Sequence, residues 1–337
     1  MKILLHDDTP SYLCHGGTQV HAKKMFESLV SLGVDVEYDR WWDPNQKCNL
    51  LHLFTLSPLM IRMAREAGVK VVLTQIVDIL TNLPESQRLS RRVLGYGIRN
   101  LFPESVLRRF SWSALSQVDA IVYMHKFDAE TAIAIYGVPR EKTRIIPHGC
   151  GIDQISRLQG GPINAHSHLI SVASIVPRKN SVLLARAARL ANVPVVFLGK
   201  PFSEENLYYQ EFRKLVDEKC VIYPGYVSEE TKNRLLTEAS GFVLLSEAES
   251  GCISVYEAAA AGLPLLLSNL PWAYAYGKQT AIQHVDLDNE ALIAERLSSF
   301  FAGSKRKVGM TFPVKTWEEI AKQYVEVYTQ VLNHSER

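Results

Sequence analysis

One stretch of the sequence limits the fold more than any other: it reads FVLLSEAESGCISVYEAAAAGLPLLLS. The apolar runs Phe242–Leu245 and Leu263–Leu267 are typical of buried strands, and the Ala-rich segment Ile253–Ala261 between them is typical of a helix. Gly262 suits the left-handed residue that ends a helix, and Pro264 prevents its continuation. This order of a strand, a loop, a helix and a strand predicts a parallel β-α-β unit.

The loop of this unit, Ser246–Cys252, offers several groups that bind polar ligands. Open parallel sheets bind ligands at the carboxyl ends of their strands. Gly251 lets the backbone approach a ligand closely, and the free amides at the helix start attract anions. With the acceptors Glu249 and Glu257, these groups predict a cradle for a phosphorylated, polyhydroxylated ligand. The alternative is that both glutamates are solvated surface acids, which are common.

Length and composition favour a two-domain globular protein. The 337 residues can build two cores, and the formal net charge of +2 gives no sign of nucleic-acid binding. The five cysteines lack paired short spacings, which favours a reducing compartment over a disulfide framework or a zinc site. The start MKILLHDDTP is unlike a secretory signal, and no run approaches the roughly 18–20 apolar residues of a spanning helix. We therefore expect a cytoplasmic protein.

Strand and helix patterns alternate along the whole chain. This alternation predicts an α/β protein with two doubly wound, Rossmann-like parallel sheets and a ligand crevice between them. Gln159–His168 lacks periodicity and is interpreted as a linker. The predicted strands are Lys2–Leu5, Val34–Tyr38, Leu50–Phe54, Val69–Thr74, Ala120–Tyr123, Thr143–Pro147, Leu169–Ala173, Pro194–Leu198, Val221–Tyr223, Phe242–Leu245, Leu263–Leu267 and Ala281–Val285. The predicted helices are Thr18–Leu32, Ala129–Tyr136, Ser181–Ala191, Leu207–Lys219, Glu229–Ala239, Ile253–Ala261, Asn289–Phe301 and Thr316–Leu332.

A basic, aromatic segment, Arg88–Trp112, stands out in the first half of the chain. Apolar side chains separate its arginines, and Glu104 is nearly the only acid among them. This pattern favours an interfacial element that faces an anionic membrane, and the alternative is a helix pair with a solvated basic face. The arginines are Arg88, Arg91, Arg92, Arg99, Arg108 and Arg109.

Two glycines, Gly16 and Gly17, follow the first predicted strand. They suit either a loop that approaches a phosphate or a plain turn into the next helix. The full G-x-G-x-x-G pattern is missing, so the sequence does not support a dinucleotide site.

Five segments, taken in order, resemble the retaining glycosyltransferases of family 4, which have the two-domain GT-B fold. PHGCGID, Pro147–Asp153, resembles the segment that closes the first domain, and SIVPRKN, Ser174–Asn180, resembles the stretch that supplies cations to the donor phosphates. GYVSEE, Gly225–Glu230, is similar to the nucleotide-facing loop, and ESGCISVYE, Glu249–Glu257, is similar to the Glu-x7-Glu signature. WEEIAKQYVEVY, Trp317–Tyr328, resembles the family's final helix.

The resemblance implies an acceptor-side domain at residues 1–160, a nucleotide-sugar domain at 165–312 and a closing segment at 313–337 that crosses back to the first domain. It also implies transfer of a sugar, with retention of configuration, from a UDP- or GDP-linked donor to an acceptor hydroxyl. The reaction would be a front-face displacement, in which the leaving phosphate helps to deprotonate the acceptor. Neither a metal nor another cofactor is expected, and no Asp-x-Asp pair is placed to hold a metal.

The resemblance gives individual residues roles. Arg178 and Lys179 would neutralise the donor diphosphate as it leaves, as two adjacent cations between a strand and a helix suit a phosphate. Glu249 would hold the donor sugar, and Glu257 would accept hydrogen bonds from the ribose. Arg178, Lys179 and Glu249 are thus the expected catalytic residues. The expected donor-binding residues are Gly16, Gly17, Gly225, Tyr226, Val227, Ser250, Gly251, Cys252, Ile253 and Glu257.

The sequence departs from the family pattern at two places. Ala173 and Ser174 stand where many members carry Gly-Arg, which leaves the positive charge to Arg178 and Lys179. Many members also carry a histidine after the fourth strand, where this chain reads TQIVDIL, with Gln75 and Asp78.

These departures keep other functions open. The first alternative is a sugar-nucleotide epimerase on the same scaffold, and the second is a non-catalytic sugar-nucleotide-binding subunit that supports a partner transferase. A nicotinamide dehydrogenase ranks third because the glycine fingerprint is absent. The basic segment favours a lipid-linked or membrane-proximal acceptor, as in cell-surface polysaccharide or glycolipid assembly, with peripheral attachment to the inner face of the plasma membrane.

Overall fold

Two six-stranded parallel sheets carry the fold in the computed structural model. The structure describes residues 1–9, 16–107, 110–160, 167–277, 279–304 and 309–333, apart from the side chain of Asp78. The chain divides into two units, one made of Met1–His148 with Thr316–Arg337 and the other of Gly149–Lys315. The predicted α/β class with two doubly wound sheets is confirmed.

The first sheet has the order β2-β1-β3-β4-β5-β6. Its strands are β1 Lys2–His6, β2 Asp35–Tyr38, β3 Leu50–Leu53, β4 Lys70–Thr74, β5 Ala120–Tyr123 and β6 Thr143–Ile145. The helices between them are α1 Gly17–Ser31, α2 Pro58–Glu66, α3 Asp78–Thr81, α4 Glu85–Leu101, α5 Glu104–Leu107 and α6 Lys126–Tyr136, with 3-10 helices at Ser111–Gln117 and Arg140–Lys142.

The second sheet has the order β12-β11-β10-β7-β8-β9. Its strands are β7 Leu169–Val172, β8 Val195–Leu198, β9 Val221–Gly225, β10 Gly241–Leu244, β11 Leu265–Ser268 and β12 Ile282–Val285. Its helices are α7 Ile152–Gln159, α8 Ser181–Ala191, α9 Leu207–Leu215, α10 Glu229–Glu238, α11 Ile253–Ala260 and α12 Glu290–Gly303, with 3-10 helices at Pro177–Lys179 and Pro271–Tyr276.

Strands β8 and β10 of the second sheet are buried at every position, which explains why they carry no polar side chain. Successive side chains of a strand point to opposite faces. Accordingly, Phe242 and Leu244 of β10 belong to one core, and Val243 belongs to the other. After α11, Gly262 adopts φ +71° and its amide donates to the carbonyl of Ala259 at 3.0 Å, so the left-handed helix end predicted at this glycine is confirmed.

The last helix, α13 Trp317–Asn333, packs within the first unit. Its buried face follows helical spacing, and Tyr324 and Tyr328 on this face are fully buried. The two hydroxyls enter a buried polar cluster of the first sheet. Tyr328 Oη lies 2.7 Å from His52 Nδ1, and Tyr324 Oη lies 3.1 Å from Thr74 Oγ1.

The boundary between the units falls after His148. Residues 149–160, predicted as part of the first domain, belong to the second unit. Helix α7 was not predicted because it is short: it buries only Ile155 and Leu158, too few positions to give a clear period. The centre of the predicted linker, residues 161–166, lies outside the described residues.

Candidate active site

The strand order of the second sheet reverses between β7 and β10. These two strands are neighbours in the sheet although they are three strands apart along the chain. The connections of a doubly wound sheet diverge at such a point and leave a crevice where ligands bind. The 3-10 helix Pro177–Lys179 follows β7, and the loop that contains Glu249 follows β10. The structure therefore brings Arg178, Lys179 and Glu249 together at the carboxyl edge of the sheet.

The three side chains form an ion cluster around the buried carboxylate of Glu249. Glu249 accepts a hydrogen bond from Lys179 Nζ and another from Ser246 Oγ, both on Oε1. Arg178 Nη1 lies 3.5 Å from Glu249 Oε2 and also donates to the carbonyl of Ala248. Glu249 is 5% exposed, so the alternative that it is a solvated loop acid is wrong.

Charge keeps Glu249 ionised despite its burial. Burial would raise the pKa of this carboxyl, but the charges of Lys179 and Arg178 and the hydrogen bonds from Lys179 and Ser246 outweigh it and lower the pKa. Two cations share one carboxylate, so the cluster keeps a net positive charge. The arrangement can attract a further anion.

Backbone contacts hold the two loops against each other. Asn180 Nδ2 donates to the carbonyl of Leu245 at 3.0 Å, and the amide of Glu247 donates to the carbonyl of Arg178 at 2.9 Å. The carbonyl of Ser246 accepts from Trp272 Nε1 at 3.1 Å. The cations and Glu249 are therefore held in place before any ligand binds.

Glu257 lies in the second half of α11 and is also 5% exposed, so it is not the exposed helix acid of the alternative interpretation. Its Oε1 accepts from Lys232 Nζ at 2.7 Å and from Gln154 Nε2 at 2.9 Å. Burial would lower the pKa of Lys232, but the charges of Glu257 and Glu229 raise it above its ordinary value. The carboxylate is thus held in one orientation by two donors.

Residues 250–253 lead from the ion cluster into α11. Gly251 has φ +93°, a conformation that favours glycine, and Ser250 is buried. The amide of Cys252 donates to Tyr276 Oη at 2.9 Å, and Ile253 is the first residue of the helix. This part of the predicted donor site forms one continuous turn beside Glu249.

The predicted nucleotide-facing residues end the edge strand β9. Gly225 has φ +81°, and its carbonyl accepts from the amide of Gly199 at 3.2 Å. Tyr226 is 67% exposed, and Lys200 Nζ lies 4.4 Å from the centre of its ring. Val227 packs against the core of the second unit. Gly225 and Tyr226 also line an open groove of about 900 Å³ beside β9.

Gly16 and Gly17 lie in the first unit, where β1 and β3 form that sheet's own switch point. Gly16 caps α1, and its amide donates to Gln19 Oε1 at 3.0 Å. After β4, where the resembled family often carries a histidine, Gln75 is buried and its Oε1 accepts from Tyr123 Oη at 2.8 Å. The side chain of Asp78 lies outside the described residues.

Three partners of the site were not found from the sequence: Ser246, Lys232 and Gln154. Gln154 is 103 positions from Glu257, and Lys232 is 25 positions from it. No local spacing rule connects residues so far apart, so only the packing of α7 against both α10 and α11 reveals the contacts.

No group of three or more His, Cys, Asp or Glu side chains in the described part of the chain is placed to hold a metal ion. Among the helices that the structure describes, none has the length and apolarity that a membrane crossing requires.

Comparison with known proteins gives a family match for the second unit. Residues 161–303 match the family described as Glycosyl transferases group 1. The chain is 23% identical over 183 residues to alpha-galactosylglucosyldiacylglycerol synthase of Streptococcus pneumoniae, a match that covers 50% of this chain and 49% of that protein. It is 22% identical over 234 residues to O-antigen chain mannosyltransferase B of Escherichia coli, which covers 64% of this chain and 61% of that protein. The matches thus span about half to about three fifths of the length of these relatives.

Solved structures share the fold over nearly the whole chain. Sucrose-phosphate synthase from Thermosynechococcus elongatus aligns with a TM-score of 0.71 at 15% identity and covers 99% of this chain and 100% of that one. A glycosyltransferase from Rickettsia africae aligns with a TM-score of 0.70 at 12% identity and covers 98% of both chains. These structures are GT-B glycosyltransferases, and the likeness establishes the fold.

Proposed function

We propose that this chain, which carries a Glycosyl transferases group 1 domain at residues 161–303, is a retaining glycosyltransferase. It moves a sugar from a nucleotide diphosphate sugar to an acceptor hydroxyl. The observation that carries the proposal is the ion cluster of Arg178, Lys179 and Glu249 at the switch point of the second sheet.

The cluster suits a reaction in which negative charge develops on a leaving diphosphate. Preorganised cations that face such charge are commonly the largest contribution to catalysis. The side chain of Arg178 is 38% exposed and that of Lys179 is 11% exposed, so Arg178 is the more accessible cation. Glu249 orients both cations. The lone pairs of its carboxylate that the cations leave unused accept hydrogen bonds from the hydroxyls of the donor sugar.

The nucleotide would lie along the carboxyl edge of the same sheet. Glu257, held by Lys232 and Gln154, accepts from the ribose hydroxyls, and the turn at residues 225–227 faces the base. The donor is UDP- or GDP-linked.

Because Arg178 and Lys179 stabilise the leaving diphosphate, a front-face displacement is the mechanism that we propose. In a front-face displacement the departing phosphate takes the proton of the acceptor hydroxyl, and the new glycosidic bond forms on the face that the phosphate leaves. The protein then needs no nucleophile of its own. We expect transfer without an added metal, and this is tested by measuring transfer before and after treatment with a chelator.

A lipid-linked or polymeric glycan is the proposed acceptor. Two observations support it: the printed names of the two relatives, a glycosyldiacylglycerol synthase and an O-antigen chain mannosyltransferase, and the surface of α4. Leu89, Val93 and Tyr96 lie along one face of this helix and are 59%, 66% and 65% exposed. Arg91 and Arg92 beside them are also exposed.

Helix α4 thus has the composition of an element that lies on an anionic membrane, and Gly95 is its only buried residue. Flotation with vesicles that contain an anionic lipid tests this role. We expect binding at low salt that is lost in the variant Arg91→Glu/Arg92→Glu. Equal flotation of both proteins, or none, would remove the membrane from the proposal. Arg108 and Arg109 lie outside the described residues.

Variants of the ion cluster test the transferase activity. Arg178→Ala and Lys179→Ala should each lower kcat/KM about tenfold or more, which corresponds to about 1.4 kcal/mol of transition-state stabilisation. Arg186→Ala is the matched control, because Arg186 is exposed on α8 and pairs with Glu211 on the surface. Unchanged rates in the Arg178 and Lys179 variants would exclude the mechanism.

The same assays separate the two other functions that this fold can carry. Turnover of the donor sugar without an acceptor would indicate an epimerase. Tight nucleotide binding without transfer or hydrolysis would indicate a binding subunit.

A further inference from the structure

Two adjacent tryptophans on the first unit are exposed to solvent. Trp41 is 85% exposed and Trp42 is 64% exposed, whereas Trp272 in the second unit is 1% exposed. Their ring centres lie 5.8 Å apart with the planes at 88°, so the two indoles form a corner. An exposed aromatic pair of this size in a loop without a packing partner points to binding.

The loop holds the corner firmly. Arg40 donates to Glu37 at 2.8 Å and to Asp43 at 3.0 Å, on either side of the tryptophans. Gln46 donates to Glu37 at 2.9 Å and accepts from the amide of Arg40 at 2.8 Å. The indoles are therefore presented by a hydrogen-bonded frame, which reduces the entropy lost on binding.

The corner lies at the ligand-binding edge of the first sheet. Strand β2 runs parallel to β1 with Tyr38 opposite Leu5, and Asp39 Oδ2 lies 2.8 Å from His6 Nδ1. Beside this contact, Gln19 Nε2 donates to Asp7 Oδ2 at 3.2 Å, and Gln19 Oε1 accepts from the amide of Gly16 at 3.0 Å. The tryptophan loop and the N-terminal end of α1 thus both border the carboxyl end of β1.

The charge around the corner selects the kind of ligand. Glu37, Asp39 and Asp43 stand against Arg40 and Lys2, whose Nζ lies 2.6 Å from Glu37 Oε1, so these groups give no excess of positive charge that would attract an anionic membrane or an anionic polymer. The indole faces carry partial negative charge and attract the weakly positive C–H groups of a sugar ring. The acids and amides beside them suit sugar hydroxyls.

We propose that Trp41 and Trp42 form a stacking platform for the neutral sugar rings of the acceptor saccharide. The identification of this saccharide as the acceptor rests on the proposed transferase function, whereas the stacking itself does not. Each ring of the corner covers one face of a sugar, and the polar frame binds the hydroxyls at its edge. The platform would set acceptor specificity from a position apart from the reacting atoms.

Binding is tested first, without catalysis. The full chain is titrated with linear trisaccharides of glucose, galactose and mannose, and tryptophan fluorescence and saturation-transfer NMR are recorded. We expect saturable binding of at least one probe in the millimolar range, weakened about tenfold or more in Trp41→Ala and Trp42→Ala. Phe202→Ala, an equally exposed aromatic in the second unit at 75% exposure, is the matched control. Lack of binding by all three probes, or equal binding by the tryptophan variants, overturns the proposal.

Acceptor and donor kinetics then separate the platform from the transferase function. With an acceptor saccharide, Trp41→Ala should raise the acceptor KM and leave the donor KM unchanged. Transfer with an unchanged acceptor KM refutes the platform while the transferase function stands. Trisaccharide binding by a protein without transfer activity refutes the transferase function while the platform stands. If Trp41→Ala abolishes vesicle flotation and leaves trisaccharide binding unchanged, the corner is a membrane contact and the proposal fails.

Discussion

We expect the first unit to lose stability when the pH falls from about 7.5 to about 5, because His52 is buried as a neutral imidazole. This side chain is 0% exposed. Its Nε2 lies 2.8 Å from Thr74 Oγ1, and its Nδ1 lies 2.7 Å from Tyr328 Oη. Burial lowers the pKa of His52 to about 3.

The sign and size of the effect follow from proton binding. The unfolded chain has an ordinary histidine pKa of about 6.5, so between about pH 6.5 and about pH 3 it binds more protons than the folded chain, and acid favours unfolding. At about pH 5 the unfolded imidazole lies about 1.5 pH units below its pKa, which removes about 2 kcal/mol from the free energy of unfolding. Burial also lowers the pKa of His21, with smaller contributions from the charges of His148 and His52, so His21 acts in the same direction.

Urea unfolding at the two pH values measures this loss. Four of the five tryptophans belong to the first unit, so tryptophan fluorescence reports mainly on it. His52→Gln keeps a polar side chain that cannot be protonated, and it should reduce the pH-dependent difference by about 2 kcal/mol. Tyr328→Phe is the control, because it removes one hydrogen bond and keeps the imidazole: it should lower stability at both pH values and preserve the difference.

Two results would refute this reasoning. One is a free energy of unfolding for the wild-type protein that is equal at both pH values. The other is a pH-dependent difference in His52→Gln as large as in the wild type, which would assign the acid sensitivity to other groups.

Two further predictions concern packing and the ion cluster. A Cβ on Gly95 would overlap the carbonyl oxygen of Ile135, so Gly95→Ala should destabilise the first unit by about 1–3 kcal/mol in thermal unfolding. In Gly97→Ala the new Cβ meets nothing closer than 4.0 Å, so this control should be neutral or slightly stabilising, and equal effects would contradict the account of α4 packing. Lys179→Met removes one of the two cations that neutralise the buried carboxylate of Glu249, and it should lower the free energy of unfolding in urea by about 3 kcal/mol. The double variant Lys179→Met/Glu249→Gln also removes the buried negative charge and should recover most of the lost stability. No recovery in the double variant would show that the lysine stabilises by packing.

The fold could be predicted from the sequence because local pattern and global architecture agree. Ala120–Tyr123 and Ser181–Ala191 have the predicted bounds, since a fully apolar strand and a helix with a continuous Ala- and Leu-rich face leave little ambiguity. Helix α7 escaped prediction because two buried positions do not define a period. The unit boundary lies before α7 because α7 packs in the second unit. Tertiary packing of this kind cannot be predicted from the composition of the segment.

The site was predictable as a set of residues and not as a set of contacts. The spacing of Glu249 and Glu257 led to both residues, but their burial was left open. Lys179 and Glu249 are 70 positions apart, and they meet only because β7 and β10 are neighbours in the sheet. Trp41 and Trp42 could not be identified from the sequence, because an aromatic pair beside a strand is typical of a core until its exposure is known.

Helix α13 belongs to the first unit but follows the whole second unit along the chain. A ribosome therefore releases all six strands of the first sheet well before it makes the helix that covers His52 and Thr74. The second unit is continuous from Gly149 to Lys315, so it can complete its folding during translation while the first unit still lacks its last element. The first unit therefore cannot complete its core before the whole second unit has been synthesised, and until then the surface that α13 covers stays open to aggregation and to chaperones.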